Sequence, residues 1–191
     1  MSVSTSERSA THQTNPVKRA GPADLIRTIG GVQAPAAGPW EIGRGQGLGL
    51  AARGLRPREL PARVHCGTLI VADDLLGSSL DFTMLVPDTT DCVLFSTRVT
   101  RLLSVDSWQA DGTTTTASGS RPASLKLRYN GVFRQGGRPP SLWLTIQATV
   151  DLPELGVVVG SRRAGRLKMA AELNLNPRGQ LPSPGASASR Y

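Results

Sequence analysis

The 191-residue chain combines 21 glycines and 14 prolines with 39% hydrophobic and only 4% aromatic residues. That composition excludes a helical bundle, which needs long runs of Leu, Ala, Glu and Lys, and a membrane-spanning helix, since no apolar run approaches ~18 residues. The formal charge of +8 is spread along the chain. With no dense basic stripe interleaved with aromatics, it argues against a nucleic-acid module.

Residues 1–39 read as a disordered tail. The stretch through Ala20 is polar and too poor in apolar side chains to offset the entropy of ordering. Pro22 to Ile29 has the pattern of a short helix over 22–29, with Pro22 at its start and Gly30-Gly31 stopping it. Leu25 and Ile29 would share its face, as a plug or clip against the domain. Residues 32–39 read as a linker. The N-terminus is polar through Thr14 with no apolar segment before a small-residue cleavage site, so no export signal is read and a cytoplasmic location is expected. Cys66 and Cys92 are then expected as free thiols.

Order is expected from Trp40. A weak strand over 47–53, alternating Leu48, Leu50 and Ala52 with glycines, is followed by a basic loop carrying Arg53, Arg56 and Arg58. Better strands run over 64–71 and 78–86, the latter with Leu80, Phe82, Met84 and Val86 on one face. Segments 93–103 and 107–116 follow. Leu125, Leu127 and Tyr129 alternate with Ser124, Lys126 and Arg128, and Leu142, Leu144, Ile146, Ala148 and Val150 alternate with Thr145, Gln147 and Thr149. A period of two over such lengths fits a strand with one buried face and fits no helix. Asn130-Gly131 and Gly136-Gly137 break the chain between these two, as a hairpin connection does. The last strand, 165–175, sets Leu167, Met169, Ala171 and Leu173 against Arg166, Lys168 and Glu172. Residues 176–191 read as a second disordered tail. Eight or nine antiparallel strands with mostly short connections close or double over to hide their edges. The expected fold is therefore all-β, an antiparallel sheet closed as a barrel or doubled into a sandwich, between two disordered tails.

The order and spacing of Trp40-Glu41-Ile42, Gly67-Thr68-Leu69, Phe95-Ser96-Thr97, Asp111-Gly112 and Arg121-Pro122-Ala123-Ser124-Leu125 resemble the YceI-like family, over roughly residues 40–175. The resemblance implies a single antiparallel up-and-down barrel of lipocalin-like form, with a long apolar cavity for a polyisoprenoid or similar lipid. Two departures stand out. Pro87–Asp91 replaces a long Asp-, His- and Phe-rich excursion of the family, and the apolar second strand is reduced to Gly47–Gly54. Both regions shape the cavity in the family, so the interior is either hollow or packed solid.

Catalytic and metal chemistry find little support. His65 and Cys66 are adjacent and point to opposite faces of a strand, and His12 lies in the tail. Asp73-Asp74 and Asp88/Asp91 are turn residues. Ser96 and Ser118 lack a histidine placed to activate them. The Gly43-to-Gly49 repeat lacks the strand–turn–helix setting of a phosphate loop. No enzyme, cofactor or metal is expected. The expected function is non-enzymatic carriage of an apolar lipid or isoprenoid chain. Leu80, Phe82, Met84, Leu125, Leu127, Tyr129, Leu144, Ile146, Leu167, Met169 and Leu173 would line the barrel. The alternative is a solid barrel acting as a protein-interaction module, and a void smaller than ~300 Å³ favours it. Arg162, Arg163, Arg166 and Lys168 form the one tight basic cluster, a candidate for transient contact with an anionic membrane surface.

Overall fold

The computed structural model describes residues 25–52, 59–85, 92–133, 141–156 and 164–175. The strands are β1 (Ile26–Ile29), β2 (Val32–Pro35), β3 (Gly38–Ala52), β4 (Glu59–Pro61), β5 (Arg63–Val71), β6 (Ser79–Leu85), β7 (Cys92–Ser104), β8 (Ser107–Thr116), β9 (Gly119–Phe133), β10 (Ser141–Asp151) and β11 (Ala164–Leu175). From β5 to β11 each strand pairs with the next, and β11 pairs with β3 over Gly165↔Ala52 to Leu175↔Trp40. β3 in turn pairs with β5 over Gly38↔Val71 to Glu41↔Thr68, which closes the ring. The molecule is an eight-stranded antiparallel up-and-down β-barrel built from β3 and β5–β11, the lipocalin-like form expected. The short β4 extends the outer edge of β3 at Gly49–Ala51.

Alternation decides which face each strand buries. In β7, Val93, Phe95, Thr97 and Val99 are buried and the residues between them exposed, as the pleat requires. The same rule points Leu125, Leu127 and Tyr129, then Leu142, Leu144 and Ile146, then Leu167, Met169, Ala171 and Leu173 into the barrel. Phe82 and Phe95, opposite each other on β6 and β7, stack with ring centroids 4.5 Å apart and planes 7° from parallel.

Separate small elements cover the ends of the barrel. At the upper end, where β3 begins, the turn after β5 buries Leu75, and the β1–β2 hairpin adds Leu25 and Ala34 to the core. The Gln33 amide donates to the Val105 carbonyl (2.8 Å), and the Arg27 guanidinium donates to the Asp73 carbonyl (3.0 Å) and to that of Ala72. At the lower end the turn after β10 buries Leu152 and Leu155, and an Arg121–Glu154 ion pair (2.7 Å) ties it to β9.

Four expectations need correction. Residues 26–29 are a strand, not part of a helix over 22–29. Gly30 and Gly31 both have positive φ (55° and 81°), the geometry of a two-residue hairpin turn, and Ile-Arg-Thr-Ile before them favours an extended chain. The plug seen from Leu25 and Ile29 is thus present in part, as a hairpin, and residues 32–39 are β2 and the start of β3 rather than a linker. The weak strand at 47–53 is the end of a 15-residue strand beginning at Gly38. Asn130-Gly131 does not end its strand: it is a bulge inside β9, where Val132 and Tyr129 face Leu142 and Leu144, with Gly131 at φ 97°. The remainder of both expected tails, His12, Asp88, Asp91 and Gly136-Gly137 lie outside the described residues.

Candidate functional site

All eleven residues expected to line the barrel face inward, and each is at most 4% exposed. An eight-stranded barrel is just wide enough for side chains to fill, and here they fill it. Trp40, Trp108, Phe82 and Phe95 supply bulk that the low aromatic content had not promised, because among the described residues the rings are mostly buried. A small pocket of about 80 Å³ opens at the lower end. It lies between Phe95, Thr114, Pro122, Val150 and Leu155, and is too small for a lipid chain.

Polar groups inside the barrel are few. The Thr97 hydroxyl donates to the Leu80 carbonyl (3.0 Å). The Trp108 indole N–H and the Tyr129 hydroxyl are buried with no hydrogen-bond partner. They are near neighbours on the inner wall, since Trp108 faces Leu127 across β8 and β9 and Tyr129 is two residues further on. Burial pushes the Tyr129 phenol above its ordinary pKa.

The outer wall carries a different kind of site. An open groove of about 710 Å³ runs across β7–β11, lined by Arg101, Leu103, Gln109, Lys126, Gln147, Thr149, Arg166 and Lys168 among others. Strand register builds it: Arg101 faces Gln109, Gln109 faces Lys126, Lys126 faces Gln147, and Gln147 faces Lys168. Cations and amides therefore alternate along one outer row, at steps of roughly 4.8 Å per strand. Arg101 donates to the Gln109 amide oxygen (2.9 Å), and the Gln109 amide nitrogen donates to Asp111 (3.0 Å). Hydrogen bonds from Ser124, Thr100 and Gln109 hold the Asp111 carboxyl below the usual carboxylate range. Among the described residues, no carboxylate lines the groove itself.

Of the basic cluster read from the sequence, Arg166 and Lys168 do point outward together and line this groove, while Arg162 and Arg163 lie outside the described residues. Sequence reasoning missed Arg101 and Lys126, which stand far from 166–168 along the chain. The available signal was parity alone: the alternations of 123–129, 142–150 and 165–175 put Lys126, Gln147 and Lys168 on the outer face, while the register that sets them in one row is a property of the paired strands. Cys66 and Cys92 are both free thiols. Among the described residues, no group of three or more His, Cys, Asp or Glu is placed to hold a metal ion, and no helix is long and apolar enough to cross a membrane.

Fold and surface together define a lipocalin-like barrel with a filled interior and a basic outer groove. No family model and no curated protein matches the chain.

Proposed function

We propose that the protein is a non-enzymatic binding module that meets its partner through its outer wall, with the barrel interior serving as core. The observation that carries this reading is the closure of the inner wall. Leu80, Met84, Leu127, Leu144, Ile146 and Met169 leave no surface open to a water-sized probe, so an apolar chain finds no preformed room beside them. The YceI-like resemblance is compatible with this, because the two regions in which this chain departs from the family are those that shape the family's cavity. The test is organic extraction of the purified protein followed by mass spectrometry, with uptake of added isoprenoid alcohol measured in parallel. An outer-wall module yields no stoichiometric lipid and takes up none.

A second reading, carriage of an apolar lipid or isoprenoid chain inside the barrel, draws support from one observation. Trp108 and Tyr129 leave two unpaired donors on the inner wall beneath the upper end, where the polar head of a ligand would satisfy them. This reading requires the β1–β2 hairpin to move and the core to repack. Co-purification of a lipid, lost in a Tyr129→Phe variant, would establish it over the first.

A further inference from the structure

We propose that the outer-wall partner is an anionic phospholipid bilayer, engaged by the tip of the β7–β8 hairpin together with the cations of the groove below it. This rests on the outer-wall reading above. At the tip, Leu102, Leu103 and Val105 are exposed large aliphatic side chains within four consecutive residues, with Val105 60% exposed. A folded protein scatters such residues singly; clustering them at one turn marks a contact surface. Leu103 also lines the groove, so the aliphatic tip is continuous with the cationic wall of Arg101, Lys126, Arg166 and Lys168.

The turn's own acid is already neutralised. Asp106 accepts from Arg128 (2.9 Å), Ser104 (2.8 Å) and Ser107 (3.0 Å), which leaves the groove cations as the dominant charge beside the leucines. Asp73 and Asp74 lie on the β5–β6 turn at the same end, and Asp73 pairs with Arg27 (3.7 Å). Lys126, Arg166 and Lys168 have no ion-pair or side-chain hydrogen-bond partner among the described residues. Aliphatic side chains that enter the headgroup boundary beside unpaired lysine and arginine are the two components of interfacial binding, buried apolar area and attraction to anionic lipid. The groove's lining includes no aromatic side chain on which bases could stack, which disfavours single-stranded nucleic acid as the occupant.

The experiment is co-sedimentation of the full chain with phosphatidylcholine vesicles and with vesicles containing phosphatidylserine, over a salt series. Two surface variants are compared, Leu103→Ser/Val105→Ser at the tip and Lys126→Glu/Lys168→Glu in the groove. All these side chains are exposed, and circular dichroism verifies that each variant is folded. The expected result is binding to the phosphatidylserine vesicles alone, weakening as salt rises, and reduced by roughly tenfold or more in the groove variant. The tip variant also binds more weakly, while keeping the salt dependence. Equal binding to both vesicle types, no binding to either, or an unchanged tip variant overturns the proposal; in the last case an acidic protein becomes the better occupant. Isoprenoid uptake by the same preparations would overturn the outer-wall reading instead, whatever the vesicles show.

Discussion

Leu144 sits at the middle of the inner wall with none of its surface exposed, so truncating it leaves a hole that rigid strands cannot close. Leu144→Ala is expected to lower unfolding free energy by about 2–5 kcal/mol in urea titration. Gly112 is the opposite case: a methyl group there would collide with the Ser96 carbonyl across β7 and β8. Gly112→Ala should therefore cost about 1–3 kcal/mol by overpacking, measured the same way. Tyr129→Phe removes a buried hydroxyl that has no partner, so stability should hold or rise; a clear loss would mean that something does accept from that hydroxyl. The ionisable groups set the pH limits. Asp106 is held below the usual carboxylate range by hydrogen bonds from Ser104, Ser107 and Arg128, and Asp111 is held low in the same way. A depressed folded pKa adds stability above the unfolded value of about 3.9, and that stability is lost as pH falls through the folded value. Asp106→Asn should flatten the decline in thermal midpoint on that acid side. Tyr129 is raised, so its contribution is complete below about pH 10 and lost as pH rises further.

The β1–β2 hairpin is the element most open to perturbation, being joined to the barrel by Leu25, Ala34 and a few hydrogen bonds. Arg27→Ala removes its links to Ala72 and Asp73. Limited proteolysis should then cut within 25–37 sooner than in the parent, at little cost to the thermal midpoint of the barrel. The hairpin also shows where the sequence misleads. Leu25 and Ile29 are four apart, a helical spacing, and Pro22 suits a helix start; the two glycines were read as a stop. Tertiary pairing wins because Ile-Arg-Thr-Ile is β-branched at three of four positions and Gly30-Gly31 supplies the positive φ values of a hairpin turn. The long strands were legible for the converse reason. Over 123–129, 142–150 and 165–175, alternation is sustained long enough that one slip would turn every apolar side chain outward.

For the whole molecule, the fold and the inner wall were legible in the sequence, whereas the state of the interior and the outer groove were not. Periodicity tells which side chains point inward, but whether they meet depends on barrel width and on the end plugs, Leu25, Leu75, Leu152 and Leu155, which obey no period. The groove depends on register between strands up to 67 residues apart, Arg101 to Lys168, which no local pattern encodes. The central claim is that the interior is core and the partner binds outside. Methyl-resolved NMR during titration with a long isoprenoid alcohol tests it most directly, by following Leu127, Leu144 and Met169. A filled barrel leaves these resonances unmoved, any small changes being confined to the exposed Leu103 and Val105. Saturable shifts of all three inner methyl groups would contradict the account and show that the barrel opens to take up the chain.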